Sequence, residues 1–154
     1  MQVLFVCLGN ICRSPTAEGV FRQYLADSPL AHQVRVDSAG TADWHTGKAP
    51  DPRTCSAALK RGYDLSKLQA RQVTEEDFHR FDLILAMDNS NLADLQAMRP
   101  ANSHAEVDLL LQRYQLARNE VPDPYYGGEQ GFEEVLDLLE GASKGLLAEL
   151  QARA

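Results

Sequence analysis

The stretch that decides the fold is QVLFVCLGNICRSP, residues 2–15. Its first six residues are continuously apolar or nearly so and partly β-branched, as in a parallel strand that is buried on both faces. A Gly-Asn pair then turns the chain, and Ser14-Pro15 is typical of a helix start. The stretch therefore predicts a strand, a tight loop and a helix, with Cys7 where the strand ends.

Outside this stretch, segments that predict strands alternate with segments that predict helices. Apolar runs predict strands at residues 34–36, 81–87 and 107–111, and the last of these also fits a helix. Periodicity and capping residues predict helices from Pro15, from Pro52 to Arg61, at the capping-box-like sequence 74–77, at 90–98 and after Gly128.

This alternation predicts an α/β fold with three layers, in which an open four-stranded parallel sheet of order 2-1-3-4 has helices on both faces. With the second and third strands on opposite sides of the first, the chain connections diverge at the carboxyl end of the first strand. Ligands bind at such points in open α/β sheets. The sequence therefore places Cys7 where a ligand would bind.

Length and composition limit the possible functions. A chain of 154 residues is expected to form a single domain, residues 1–154. Its net charge of −7 and the lack of a Lys/Arg-rich run argue against a nucleic-acid partner. No apolar stretch approaches the roughly 18 residues of a membrane span, and no signal peptide is evident after Met1. We expect a cytoplasmic protein without membrane association, and a monomer, with weak self-association as the alternative.

The loop after the first strand has the features of an anion site that contains a nucleophile. A strand-to-helix turn can direct backbone N–H groups into one concavity, and the helix that begins near Ser14 adds the positive end of its dipole. Arg13 adds a planar guanidinium that can bind two phosphate oxygens. These groups favour the thiolate form of Cys7. A bare Cys-x5-Arg pattern is usually structural, but its place after a buried strand favours attack on phosphorus and a cysteinyl-phosphate intermediate.

A leaving alkoxide or phenolate needs a proton, so a general acid must lie elsewhere in the chain. The best candidate is Asp123, which stands between two prolines and is followed by two tyrosines. The prolines stiffen its backbone, and the aromatic rings suit the mouth of a pocket. An aspartate before proline is also common in plain turns, and spacing alone leaves both interpretations open.

With both segments in view, the chain resembles the low-molecular-weight protein tyrosine phosphatases nearly from end to end. The motifs that carry the resemblance are VCLGNICRSP at 6–15, DSAGT at 37–41, Trp44, AMD at 86–88 and DPYY at 123–126. The resemblance implies hydrolysis of phosphotyrosine in proteins and of small aryl phosphates. It implies Cys7 as the nucleophile, Arg13 as the phosphate-binding residue, and Asp123 as the acid and then the base for water.

The resemblance also implies supporting roles around the loop. Ser14 would hydrogen-bond the thiolate and help it to leave in the second step. Asn10, tied to Ser38, would hold the shape of the loop. Asp88 would either brace the phosphate-binding arginine or cap a helix.

Substrate binding is expected from the loop and from aromatic walls. Trp44, Tyr125 and Ile11 would flank a phenyl ring, so that phosphotyrosine reaches the floor of the pocket and phosphoserine falls short. The full set of expected substrate-binding residues is Leu8, Gly9, Asn10, Ile11, Cys12, Ser14, Trp44, Tyr125 and Tyr126.

The histidines and the remaining cysteines give weaker signals. The family that the chain resembles needs no metal or other cofactor, and none of the four histidines shows ligand spacing. Cys12 lies close enough in sequence to Cys7 for a reversible disulfide that would protect the nucleophile from overoxidation. Cys55, one turn into a predicted helix, is interpreted as a small buried apolar residue.

Three other functions fit parts of the pattern. Arsenate reductases share this loop, but they need a further cysteine pair, and no cysteine follows Cys55. Protein-arginine phosphatases are similar, but in them a threonine stands where this chain has Ile11. A non-catalytic phosphate-binding regulatory module would be favoured by loss of Cys7 or Asp123, and both are present. A Walker-type nucleotide loop is excluded because no Gly-Lys-Ser/Thr follows the glycine.

Overall fold

The computed structural model describes residues 1–124 and 128–153. In this part of the chain, strands and helices alternate from the first residues onward, as the sequence predicts. The strands are β1 (Gln2–Cys7), β2 (Arg35–Gly40), β3 (Leu83–Ala86) and β4 (Glu106–Leu109). The helices are α1 (Arg13–Ala26), α2 (Pro52–Lys60), α3 (Asp77–Arg80), α4 (Asn89–Met98), α5 (Leu110–Arg113) and α6 (Glu129–Arg153).

The four strands form one parallel sheet in the order β2-β1-β3-β4. Strand β1 is therefore bonded on both sides, by β2 and by β3. Its last residue, Cys7, is in register with Gly40 at the end of β2, and Val6 is in register with Ala86 at the end of β3. The predicted α/β class and the strand order 2-1-3-4 are confirmed.

Helices cover both faces of the sheet. Alternate side chains of β1 point to opposite faces, and each set packs against different helices. Val3, Phe5 and Cys7 belong to a buried cluster that includes residues of α1, α5 and α6. Leu4 and Val6 belong to a second cluster that includes residues of α3 and α4. The apolar side chains that recur with helical spacing along α6, Phe132, Val135, Leu139, Ala142, Leu146 and Leu150, are all buried.

The boundaries differ from the sequence-based prediction at a few points. Helix α1 begins at Arg13 rather than at Pro15, so the arginine itself lies in the first turn. The segment 107–111, which fits both a strand and a helix, is divided between the two: β4 ends at Leu109 and α5 begins at Leu110. Among the described residues, no helix is both long and apolar enough to cross a membrane.

Helix α2 begins as predicted, with its cap facing the loop that follows β1. The side chain of Asp51 accepts a hydrogen bond from the Arg53 N–H at 2.8 Å, and Pro52 occupies the first turn. The Asp51 N–H donates to the carbonyl of Ile11 at 2.8 Å. The start of α2 is thereby attached to the loop between β1 and α1.

Candidate active site

The loop between β1 and α1 forms the floor of a cavity at the carboxyl edge of the sheet. Asn10 takes a left-handed backbone conformation with φ 56°, which lets the chain reverse between strand and helix. Gly40, at the end of β2, lies against this loop. A Cβ at that position would lie 2.7 Å from the carbonyl oxygen of Leu8, so the loop can pack there because residue 40 has no side chain. The cavity measures about 180 Å³ and is lined by Cys7, Leu8, Gly9, Ile11, Cys12, Arg13, Trp44, His45 and Asp123.

The backbone of this loop leaves hydrogen-bond donors unused. Within the described ranges, the N–H groups of Leu8, Gly9, Ile11 and Cys12 donate to no protein acceptor. Unpaired backbone N–H groups are uncommon in folded proteins. Together with the first turn of α1, which starts at Arg13, these donors make a concavity suited to a negatively charged ligand.

The sulfur of Cys7 lies among polar partners although the residue is buried. The Asn10 N–H donates to Sγ at 3.3 Å, and the hydroxyl of Ser14 lies 3.0 Å from Sγ. The Asn10 N–H donates, and the Ser14 hydroxyl can donate, so the sulfur has polar contacts on two sides.

A chain of buried hydrogen bonds fixes the side chain of Asn10. Its Nδ2 donates to the Ser14 hydroxyl at 2.8 Å and to the Ser38 hydroxyl at 3.0 Å. Its Oδ1 accepts from the Arg71 N–H at 3.0 Å. The contact between Asn10 and Ser38 that the family resemblance implies is therefore present, and Ser14 joins it to the sulfur of Cys7.

Arg13 is held rigidly at the wall of the cavity. Its side chain is 4% exposed, and its Nη1 donates to Oδ2 of Asp88 at 2.7 Å and to the Val121 carbonyl at 3.0 Å. Burial would by itself lower the pKa of Arg13. The neighbouring Cys7 and Asp88 outweigh burial and raise that pKa above its usual value, so the guanidinium carries a full positive charge.

Asp88 performs both of the functions that the sequence offered as alternatives. While Oδ2 accepts from Arg13, Oδ1 accepts from the Asn91 N–H at 2.7 Å and caps α4. Because a carboxylate has two acceptor oxygens, one side chain can cap the helix and hold the arginine at the same time.

Asp123 lies beside Arg13 at the open side of the cavity. Its Oδ2 is 3.8 Å from Nη2 of Arg13, and its side chain is 43% exposed. A carboxyl group at this position is within reach of solvent and of a ligand in the cavity. Tyr125 and Tyr126, which the sequence also assigns to this site, lie outside the described residues.

Two of the apolar residues that line the cavity are Ile11, from the loop after β1, and Trp44, from the segment after β2. Trp44 is 66% exposed although it lines the cavity. His45, which sequence analysis did not single out, also lines it, and its ring packs so closely on Gly9 that a Cβ there would lie 3.0 Å from His45 Cδ2. Only its position next to Trp44 could have indicated it.

Some of the expected substrate-binding residues lie away from the cavity surface. Asn10 and Ser14 are buried and are not among the described residues that line the cavity. Their polar atoms bond instead to the sulfur, to each other and to Ser38. The geometry gives them contacts that support the loop.

The three cysteines are free thiols with different surroundings. Burial raises the pKa of Cys12 to about 12, and the nearby Asp51 and Cys7 act in the same direction. Cys55 was expected to be buried but is half-buried. It lies on helix α2, whose buried residues are Thr54 and Ala58. Among residues 1–124 and 128–153, no group of three His, Cys, Asp or Glu side chains could hold a metal ion.

Comparison with known proteins agrees with this geometry. The family described as low molecular weight phosphotyrosine protein phosphatase matches residues 2–154. A low molecular weight protein-tyrosine-phosphatase of Streptomyces coelicolor is 48% identical over 96% of this chain and 92% of its own length.

Solved structures give the same result. A protein tyrosine phosphatase from Entamoeba histolytica superposes with a TM-score of 0.93 at 40% identity, covering 99% of this chain and 97% of the other. A drosophila arginine phosphatase superposes with a TM-score of 0.90 at 31% identity, covering 97% and 98%. The chain belongs to the low molecular weight phosphotyrosine protein phosphatase family.

Proposed function

We propose that this protein hydrolyses phosphotyrosine in proteins through a phosphocysteine intermediate on Cys7. The observation that carries the proposal is the position of the Cys7 sulfur. It lies in a cavity whose wall offers the fixed guanidinium of Arg13 and whose floor offers the N–H groups of Leu8, Gly9, Ile11 and Cys12, which bond to no acceptor in the described part of the chain. A phosphate ester has three equatorial oxygens that gain negative charge as the bond to the leaving group breaks, and donors of this kind stabilise that charge.

In the first step, the Cys7 thiolate attacks phosphorus in line with the bond to the tyrosine oxygen. A sulfur–phosphorus bond forms, the phosphorus–oxygen bond breaks, and its electron pair goes to the tyrosine oxygen. Asp123 donates its proton to that oxygen, so that tyrosine leaves as a neutral phenol. Its position at the open side of the cavity, next to Arg13, supports this role.

In the second step, a water molecule attacks the phosphorus of the intermediate. Asp123, now ionised, takes a proton from the water, an oxygen–phosphorus bond forms, and the sulfur–phosphorus bond breaks. The sulfur leaves as a thiolate, with the Ser14 hydroxyl at 3.0 Å and the Asn10 N–H at 3.3 Å in position to stabilise it. Inorganic phosphate is released and the enzyme returns to its starting state.

The mouth of the cavity favours an aromatic phosphate. Trp44 and Ile11 offer apolar surface to a phenyl ring at the level where the leaving group would lie. The depth of the cavity adds selectivity for phosphotyrosine, because the shorter side chain of phosphoserine would not bring its phosphate group to the floor. Tyr125 and Tyr126 belong to this proposal on the strength of the sequence alone.

Arginine phosphatase activity is the second candidate, because a drosophila arginine phosphatase has a closely similar fold. The isoleucine at position 11 argues against it, since an apolar side chain pairs better with a phenyl ring than with a guanidinium. We expect rapid release of phosphate from phosphotyrosine peptides and at least tenfold slower release from phosphoarginine. The opposite ranking would make the arginine phosphatase the better proposal.

A direct test of the proposal replaces the nucleophile. Cys7→Ser is expected to abolish turnover of phenyl phosphate while the protein stays folded and still binds phosphate, since the N–H groups and Arg13 remain. Acid-quenched wild-type reactions are expected to contain phosphate bound to Cys7. Rapid turnover by the serine variant would remove Cys7 as the nucleophile.

We further infer that the enzyme works as a cytoplasmic monomer without a metal ion or other cofactor. The three free cysteines fit a reducing compartment, and the proposed reaction uses the side chains of Cys7, Arg13 and Asp123 alone. Activity that is unchanged by EDTA and a sedimentation coefficient of a 17.1 kDa particle are the expected results.

A further inference from the structure

A second groove lies at the amino edge of the sheet, at the opposite end of β1 from Cys7. It measures about 370 Å³ and is lined mainly by polar and charged residues. Arg35, the first residue of β2, and Arg80, the last residue of α3, both line it and are exposed. Gln2 is in register with Arg35 and accepts a hydrogen bond from Nε of Arg80 at 3.3 Å, so it is adjacent to both arginines.

Arg35 and Arg80 differ from most arginines of the protein in having no carboxylate partner. In the described part of the chain, three arginines form no ion pair with a carboxylate, Arg35, Arg80 and Arg99, and the first two share this groove. The guanidinium of Arg80 is held over the ring of Phe81, at 5.5 Å from the ring centroid. Two positive charges therefore face solvent from one groove.

The remaining charged residues of the groove are already paired within the protein. Arg22 bonds to the buried carboxylate of Glu18 at 2.7 Å. Asp37 bonds to Arg71 at 3.0 Å. Asp82, at the same edge of the sheet, is not among the described residues that line the groove, and its carboxylate accepts from a backbone N–H at 2.7 Å. The two unpaired arginines therefore give the groove a net positive charge in a protein whose overall charge is −7.

We propose that this groove, defined by Gln2, Arg35, Arg80 and Phe81 and named the arginine groove, binds an acidic segment of the phosphoprotein substrate. The proposal rests on the proposed function, since it gives the substrate of that reaction a second contact. Guanidinium groups form paired hydrogen bonds with carboxylates. An extended chain carries its side chains at regular intervals, so its carboxylates can meet two arginines that belong to different elements.

An acidic protein segment fits the arginine groove better than other polyanions do. Nucleic acids and anionic membranes are bound by larger clusters of cations, and the net charge of −7 opposes both. The Debye length at physiological ionic strength is about 8 Å, so repulsion from distant carboxylates is screened, while a carboxylate inside the groove meets the arginines at contact distance. A short run of Glu or Asp therefore matches both the size and the charge of the groove.

One substrate can occupy the arginine groove and the catalytic cavity together. Gln2 and Cys7 lie at the two ends of β1, about 17 Å apart at a rise of about 3.3 Å per residue. A flexible linker of about 16 residues spans about 22 Å on average and about 50 Å when stretched, which is enough to pass around the edge strand β2. Binding at the groove then raises the local concentration of phosphotyrosine at the cavity. This lowers KM and leaves kcat unchanged, because neither arginine touches the reacting atoms.

Two matched substrates test the proposal. Both carry a phosphotyrosine and a Gly/Ser linker of about 16 residues, and one ends in a run of glutamates while the other ends in a run of serines. We expect KM to be about tenfold lower for the glutamate substrate at low salt, kcat to be similar, and the difference in KM to shrink at high salt. Equal KM values at low salt would overturn the proposal.

Paired variants connect the difference in KM to the two arginines. Arg35→Ala/Arg80→Ala should remove the advantage of the glutamate substrate, whereas Arg35→Lys/Arg80→Lys should keep part of it, because the charge stays. Lys67→Ala/Lys144→Ala removes two exposed cations elsewhere and changes the net charge by the same amount, so it should keep the whole advantage. All three should turn over phenyl phosphate at the wild-type rate, which shows that they are folded. An equal effect of the two alanine variants would assign the difference to net charge and contradict the proposal.

Direct binding separates a failure of this proposal from a failure of the proposed function. A fluorescein-labelled glutamate peptide without phosphotyrosine should bind the wild-type protein in fluorescence anisotropy, and should bind Arg35→Ala/Arg80→Ala at least tenfold more weakly. It should stay bound when orthovanadate fills the catalytic cavity. Displacement by orthovanadate, or tighter binding of polyuridylate or of phosphatidylserine vesicles than of the peptide, would refute a protein-docking role for the groove.

The two proposals fail in different ways. Hydrolysis of phosphotyrosine without any effect of the glutamates would remove the role of the arginine groove and leave the proposed function intact. Binding of the glutamate peptide through the two arginines, without hydrolysis of phosphotyrosine, would instead refute the proposed function and with it the assignment of the acidic segment to a substrate.

Discussion

The double use of Asp88 leads to a prediction in which stability and activity separate. Asp88→Asn keeps an oxygen that can accept from the Asn91 N–H and cap α4, but it removes the negative charge opposite Arg13. Asp88→Ala removes both interactions. The difference between the two variants therefore measures the helix cap, and the effect that they share measures the bond to the arginine.

The geometry gives the size of each effect. The Arg13–Asp88 contact is 2.7 Å long, and the two side chains are 4% and 22% exposed, so it is a largely buried, charge-assisted hydrogen bond. Loss of such a bond costs about 1.5–3 kcal/mol. A lost cap adds about 1 kcal/mol. We expect the free energy of unfolding to fall by about 2 kcal/mol in Asp88→Asn and by about 3 kcal/mol in Asp88→Ala.

Urea unfolding measures the stability of both variants, and kcat/KM for phenyl phosphate measures the position of Arg13. Because Nη1 of the arginine then keeps the Val121 carbonyl as its one partner among the described residues, we expect kcat/KM to fall about tenfold or more in both variants. Glu120→Gln is the control, since Glu120 accepts from the Asn89 N–H at the same helix start without touching Arg13. Equal stability of the two variants, or wild-type activity in either, would refute this assignment of the two oxygens.

Three further predictions concern other residues of the cavity. Asp123→Asn should slow the release of phenol from phenyl phosphate in a single turnover by about a hundredfold and the release of p-nitrophenol, a better leaving group, much less; equal losses in these two release rates would exclude proton donation. Gly40→Ala should lower activity at least tenfold, because its Cβ would lie 2.7 Å from the Leu8 carbonyl oxygen and displace the loop, and full activity would show that the loop tolerates the contact. In a Cys7→Ser/Cys55→Ser variant, iodoacetamide labelling of Cys12 should rise about tenfold per pH unit up to at least pH 10, because its pKa near 12 keeps it a thiol at neutral pH; a plateau below pH 9 would contradict that pKa.

The parts of the fold that were predictable are those with a local cause. The apolar run of β1, the Asp51-Pro52 start of α2 and the periodicity of α6 each depend on neighbours within a few positions in sequence, and each is found where expected. The segment at 107–111 was ambiguous for the same reason. Its consecutive leucines satisfy the pattern of a buried strand and that of a helix, and the chain uses them for both.

The parts of the site that were not predictable depend on contacts between distant segments. Glu18 looks like an ordinary helix residue until β2 brings Ser38 to its carboxylate. His45 has no recognisable spacing from the loop, and its place at the cavity follows from the path of the chain after Gly40. The sequence predicted either a helix cap or a bond to Arg13 for Asp88. It does not show that one carboxylate oxygen faces the Asn91 N–H while the other faces Arg13.

The central position of β1 separates the parts of this enzyme that are free to vary from those that are not. The strand that ends in Cys7 is bonded on both edges, so a shift of the sulfur would disturb the sheet as a whole. Trp44 and His45 lie instead on a segment outside the regular elements, between Gly40 and Pro52. Substitution of exposed side chains on that segment, Trp44 first, is therefore a route to new substrate preferences that keeps Cys7 and Arg13 in place, for evolution and for protein engineers alike.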